Sequence, residues 1–242
     1  ARAVDFLRAY AAEAAPAPSA SLMEHAVHIA ETHLGDPRGA LDLAREGLDR
    51  APGSPALLVA FERAALMTAD VQAAIDTYAT LRDKALGDHG LRGIRYREAR
   101  WLERSGQAQA ALDAYVACFR LSPSDGVVFQ AIERLSASLG RWNELVDALL
   151  ALVEIATHVD RRMALLHNTA ALCEGPLDDP GRAFDLLFEA WRSTGRSELL
   201  GDVRRLARRL RERDATRSDA ALAEVVEVLG NRVDMSWDAD DQ

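Results

Sequence analysis

Apolar residues recur along this chain at helical spacing. Met23, Ala26, Val27 and Ala30 form one stripe, and Ala40, Leu41, Ala44 and Leu48 form the next. A period near 3.6 residues predicts amphipathic helices. Between the stripes stand helix breakers: Leu34-Gly35-Asp36-Pro37, Ala69-Asp70, Gly106, Gly140-Arg141-Trp142 and Leu177-Asp178-Asp179-Pro180. About five residues after each breaker comes a small or apolar anchor: Ala40, Ala74, Ala111, Leu145 and Ala183. The anchors are 34, 37, 34 and 38 residues apart. A steady period in this range predicts one supersecondary unit, a helix pair, repeated and stacked on its neighbours.

Local chemistry supports the same punctuation. Asp36 is placed to accept the free amide hydrogen bonds of a helix start, with Pro37 in the first turn. The sequence Asp179-Pro180 repeats that device, and the glycines at 106 and 140 suit tight turns between helices. Pro52 and Pro123 each lie twelve residues after an anchor and close a helix, while Ser54-Pro55 and Ser122 to Asp125 cap the next. Ahead of the array, Val4, Phe6, Leu7 and Tyr10 outline a short helix, followed by the Ala/Pro-rich stretch Ala14 to Ser21, read as a linker because Pro16 and Pro18 cannot continue a helix. Behind it, Glu198 to Arg213 and Ser218 to Val233 are helical without an anchor. Asp234, Asp238, Asp240 and Asp241 make the last segment an expected disordered acidic tail. The expected organisation is therefore 1–21 helix and linker, 22–195 repeat array, 196–233 capping helices and 234–242 tail.

These residues resemble the tetratricopeptide repeat family. The likeness rests on the small anchor in the second helix, an aromatic or apolar residue four later (Tyr78, Tyr115, Leu149, Leu187), a small or apolar residue three beyond (Leu81, Cys118, Leu152, Ala190), and the closing proline. It covers roughly Leu22 to Gly195. The family's tryptophan near the start of the first helix is missing, the closing proline is present only as Pro52 and Pro123, and the first and fifth repeats carry an extra residue before the turn. The resemblance implies an all-α, right-handed α-solenoid of about five helix pairs with helical caps at both ends. It also implies a non-catalytic scaffold or adaptor that presents a concave groove to another protein.

Composition narrows the function further. Aromatics are 6% of the chain, and strand-favouring runs are absent, so no sheet is expected. The net charge of −9 disfavours wholesale attraction to nucleic acid or an anionic membrane. No run approaches the ~20 apolar residues that span a bilayer. Cys118 and Cys173 are far apart and both sit in helical patterns, which predicts buried free thiols in a reducing cytoplasm. Lys84 is the only lysine, and the Arg/Ala bias suggests a bacterial source. The chain opens on Ala1 without an initiator methionine, so it is expected to be part of something longer.

Candidate chemistry is sparse. His25 and His28 share a helix face, but a metal needs a third ligand in register and His33 is rotated away, so neither metal nor cofactor is expected. No phosphate-binding glycine loop or nucleophile motif is present. Alignment on the anchors is more informative. Arg63, Arg100 and Arg134 each lie eleven residues before an anchor, and His28 takes the corresponding place in the first repeat. By the resemblance this position lines the groove, where guanidiniums would hold carboxylates in bidentate fashion. Tyr96 and Gln130, four residues before two of them, would flank it. The same arginines could instead pair with glutamates on adjacent helices and knit the repeats together. A second basic run on one helix face, Arg204, Arg205, Arg208 and Arg209, continuing to Arg211 and Arg213, is either a solvated face, a seat for the acidic tail, or a nucleic-acid contact. A third possibility is that the chain is the regulatory domain of a larger enzyme.

Overall fold

The computed structural model describes residues 2–84 and 87–240, with side chains as far as residue 230. Among the described residues the chain is all-α, with thirteen helices and no strand. It divides into two compact units, 1–135 and 136–242, with the division falling inside α8.

The first unit contains α1 (Arg2–Glu13), α2 (Pro16–Thr32), α3 (Pro37–Arg50), α4 (Pro55–Thr68), α5 (Val71–Arg82), α6 (Gly87–Arg104), α7 (Ala108–Leu121) and the start of α8 (Gly126–Leu139). From α1 to α7 consecutive helices pack on one another, and α2 also touches α4 while α3 touches α5. First helices therefore neighbour first helices, and second helices neighbour second. Met23, Leu41, Leu48, Leu57, Phe61, Tyr78, Ile94 and Leu112 fill the interior. Gly47 marks the closest approach: a Cβ there would stand 3.0 Å from both Met23 Cβ and Leu57 Cδ1, so only glycine lets α3 nestle this tightly.

The second unit contains the rest of α8, then α9 (Trp142–Ile155), α10 (Val159–Glu174), α11 (Pro180–Thr194), α12 (Ser197–Arg211) and α13 (Ala215–Asp240). From α9 to α13 each helix packs on the next. Its core runs from Val146 and Met163 through Phe184, Leu187 and Trp191 to Leu199, Val203, Leu206 and Val225.

All five anchors are buried, and each is the fourth residue of its helix, in α3, α5, α7, α9 and α11. The residue five positions earlier is left-handed every time: Gly35 (φ 61°), Ala69 (53°), Gly106 (80°), Gly140 (69°) and Asp178 (52°). This one backbone reversal turns each first helix into its second. The next residue then starts the new helix, with Asp36, Asp70 and Asp179 accepting from the amides of Gly39, Ala73 and Arg182 at 2.8, 3.0 and 2.9 Å. Both cysteines are buried.

Two boundaries differ from the sequence reading. The Ala14 to Ser21 stretch is not a linker, because α2 begins at Pro16 and its first helical bond runs from Ser19 N to Ala15 O at 2.9 Å. Proline is excluded from a helix interior but fits the first turn, where amides have no intrahelical acceptor. The expected break before Asp234 is also missing, since α13 is helical to Asp240. That stretch holds no proline and only Gly230 as a weak breaker. Asp241 and Gln242 lie outside the described residues, as do the side chains of Asp234, Asp238 and Asp240.

Candidate functional site

In the first unit the candidate rail occupies α2, α4, α6 and α8, and His28, Arg63, Arg100 and Arg134 are all exposed there. Their partners differ. Arg63 on α4 grips Glu31 on α2, with Nε 2.9 Å from Oε2 and a terminal nitrogen 2.6 Å from the same oxygen. Arg134 on α8 meets Glu103 on α6 at 2.6 Å. One turn away on the α4–α6 seam, Arg97 pairs with Glu62 at 2.7 Å.

Tyrosines from the second helices complete these pairs. Tyr78 donates to Glu62 at 2.9 Å and Tyr115 to Glu103 at 3.1 Å. Burial, reinforced by the facing carboxylate, pushes both phenols well above the ordinary tyrosine range. A glutamate on a first helix thus joins the second helix of its own pair to the next first helix. Two of the three rail arginines belong to this fastening.

Arg100 does not. Its guanidinium lies 5.9 Å from the Tyr96 ring centroid, and Arg104, one turn on, lies 5.8 Å from that of Trp101. Among the described residues neither arginine makes an ion pair or hydrogen bond. Both line an open cleft of about 700 Å³ together with Tyr96, Tyr115, Gln130 and Arg134. Four of the six sequence candidates, Tyr96, Arg100, Gln130 and Arg134, therefore meet in one cleft. His28 and Arg63 do not line it, and His28 instead stands edge-on to His33 at 6.4 Å. Arg104 was missed, although its i+4 spacing from Arg100 puts it on the same helix face.

The basic run on α12 separates into two sets. Arg205 and Arg209 both grip Glu174 of α10, at 2.5 and 2.6 Å, and their hydrogen bonds hold that carboxyl below its usual range. Arg213 pairs with Asp178, and Arg217 with Asp185 at 2.7 Å. Arg204, Arg208 and Arg211 are exposed and unpaired among the described residues. The second unit also carries an apolar cleft of about 500 Å³, with Leu150, Val153, Met163 and Leu186 in its lining.

No cluster of three or more His, Cys, Asp or Glu among the described residues could hold a metal, and no described helix is long and apolar enough to cross a membrane. The Cys118 thiol donates to the Arg92 carbonyl at 3.5 Å, and burial pushes it up to about 11, far from a reactive thiolate.

No family model matches the sequence, and no curated protein matches it. Solved structures similar to the chain include YrrB, described as a tetratricopeptide-repeat protein with an unusual peptide-binding site, at 13% identity over 74% of this chain and 88% of that one, with a TM-score of 0.40. The nearly identical TPR-like repeats of a putative kinesin light chain from Podosopora anserina match at 18% identity, 70% and 92% coverage, and a TM-score of 0.33. The tetratricopeptide-repeat protein TTC0263 of Thermus thermophilus matches at 20% identity, 81% and 95% coverage, and a TM-score of 0.29.

Proposed function

We propose that this chain is a non-catalytic adaptor whose first unit binds an acidic segment of another protein in the cleft centred on Arg100. The observation that carries this reading is the contrast along the rail. Arg63 and Arg134 are neutralised by Glu31 and Glu103, whereas Arg100 and Arg104 keep their charge unpaired above aromatic rings. Exposed guanidiniums over flat apolar faces, with the Gln130 amide and the Tyr96 ring beside them, suit an extended carboxylate-bearing segment. The buried thiols fit a reducing cytoplasm.

The test is fluorescence anisotropy against an array of labelled acidic peptides. A charge-assisted bidentate pair is worth about 1.5–3 kcal/mol, so Arg100→Glu should weaken binding by roughly 10- to 100-fold, with modest salt sensitivity. Arg204→Glu/Arg208→Glu should leave it unchanged. The opposite result, in which only the α12 variant loses a ligand and that ligand is nucleic acid with a steep salt dependence, would replace this reading with the basic stripe of Arg204, Arg208 and Arg211.

A further inference from the structure

The fastening described above has a regular address. Glu31, Glu103 and Glu174 lie nine, eight and nine residues before the anchors Ala40, Ala111 and Ala183, the extra residue falling in the two Asp-Pro repeats. Each grips an arginine on the following first helix: Arg63, Arg134 and Arg205. In the second repeat the same address, eight before Ala74, holds Leu66. Leu66 is on α4, one turn beyond Glu62, and is 47% exposed. It lines a niche of about 100 Å³ with Glu62, Trp101, Arg100 and Arg104. Arg100 and Arg104 thus line both this niche and the larger cleft.

We infer that Leu66 is the specificity-determining residue of the cleft, and that its ligand is a protein segment with an apolar side chain next to a carboxylate. The inference rests on the acidic-segment reading and refines it. Where α2, α6 and α10 supply a glutamate, α4 supplies Leu66 and α8 supplies Ala137. Of these two, Leu66 faces an arginine, Arg100, which is left available to a carboxylate from outside. The same leucine exposes apolar surface beside that charge, and an apolar neighbour of the bound carboxylate covers it. Polar contact orients the segment, and the niche selects the adjacent side chain. A peptide with carboxylates alone satisfies the arginines and leaves Leu66 wet.

Two short labelled Gly/Ser peptides of equal charge test this, one with a central Glu-Leu-Glu and one with a central Glu-Ser-Glu. Their anisotropy is measured with the wild-type chain and with Leu66→Glu, Leu66→Gln and Leu66→Ala. Because Leu66 is exposed, these substitutions leave the fold intact, which circular dichroism checks. Wild type should prefer Glu-Leu-Glu by about 5-fold, from burial of part of one leucine. Leu66→Ala should remove that preference while still binding both peptides. Leu66→Glu should weaken both by at least 10-fold, and the neutral Leu66→Gln should not. An independent readout is the Arg100 Nε–H resonance, which should shift in Leu66→Glu without ligand as the new carboxylate captures the guanidinium. Binding untouched by Leu66→Glu, or equal wild-type affinity for both peptides, overturns this inference and leaves the acidic-segment reading standing. Failure of both peptides to bind wild type, in an array where no acidic peptide binds, overturns the two together.

Discussion

The left-handed residue five places before each anchor gives the sharpest stability test. Glycine occupies three of these positions, while Ala69 and Asp178 occupy the others. A left-handed conformation costs an L-residue about 1–2 kcal/mol relative to its preferred basins. Replacing Ala69 by glycine removes that cost and adds back about 0.5–1 kcal/mol of unfolded-chain entropy. The net expectation for Ala69→Gly is a gain of about 0.5–1 kcal/mol, and Gly106→Ala or Gly140→Ala should lose about as much. At both glycines an added Cβ meets no atom within 4 Å, so the loss contains no steric contribution and reports the backbone alone. For a chain of this size the change corresponds to roughly 1–4 °C in melting temperature. With two compact units a single melting transition is not guaranteed. Thermal scans should therefore be paired with hydrogen exchange at the amide of Asp70, which bonds to the Ala65 carbonyl at 3.2 Å. Opposite signs for the two kinds of substitution support the account. A destabilising Ala69→Gly, or a neutral Gly106→Ala, would refute it.

Two further outcomes follow from the electrostatics. Hydrogen bonds from Arg205 and Arg209 lower the Glu174 carboxyl, so its contribution to stability is present above the unfolded carboxylate value near 4.3 and is lost as pH falls through the lower folded value. Urea midpoints of wild type should drop more steeply below about pH 4.3 than those of Glu174→Gln, and parallel curves would remove Glu174 from the acid response. With Cys118 pushed up to about 11 by burial and Cys173 also raised, chiefly by burial, neither thiol should react with a disulfide reagent at pH 8 until urea unfolds the chain. Rapid labelling of either cysteine in the native state would contradict that.

Much of the fold was legible because close packing leaves a strict trace. Ala40, Ala74, Ala111, Leu145 and Ala183 sit where helices touch, and a buried position at a fixed place in each helix imposes a fixed sequence period. The rail was legible as a position but not as chemistry. Whether Arg63 faces solvent or Glu31 depends on which turn of a neighbouring helix stands opposite, and that neighbour is 32 residues away in sequence. Only the recurrence of glutamate at 31, 103 and 174, spaced across two repeats rather than one, carried the signal. Pro16 and Pro18 misled for a simpler reason, since a proline-rich stretch can begin a helix as well as separate two.

That two-repeat spacing bears on how such an array can change length. The accepting glutamates stand in the first, third and fifth pairs, and the arginines that donate to them on the first helices of the second and fourth pairs and on α12. Duplicating or deleting two pairs together leaves each remaining glutamate of this series opposite a helix that carries an arginine. Deleting α4 and α5 alone would set Glu31 against α6, where the next arginine at the receiving address is Arg100. This series of fastenings has a parity, and loss of the second pair alone would convert the open cleft into one more fastening.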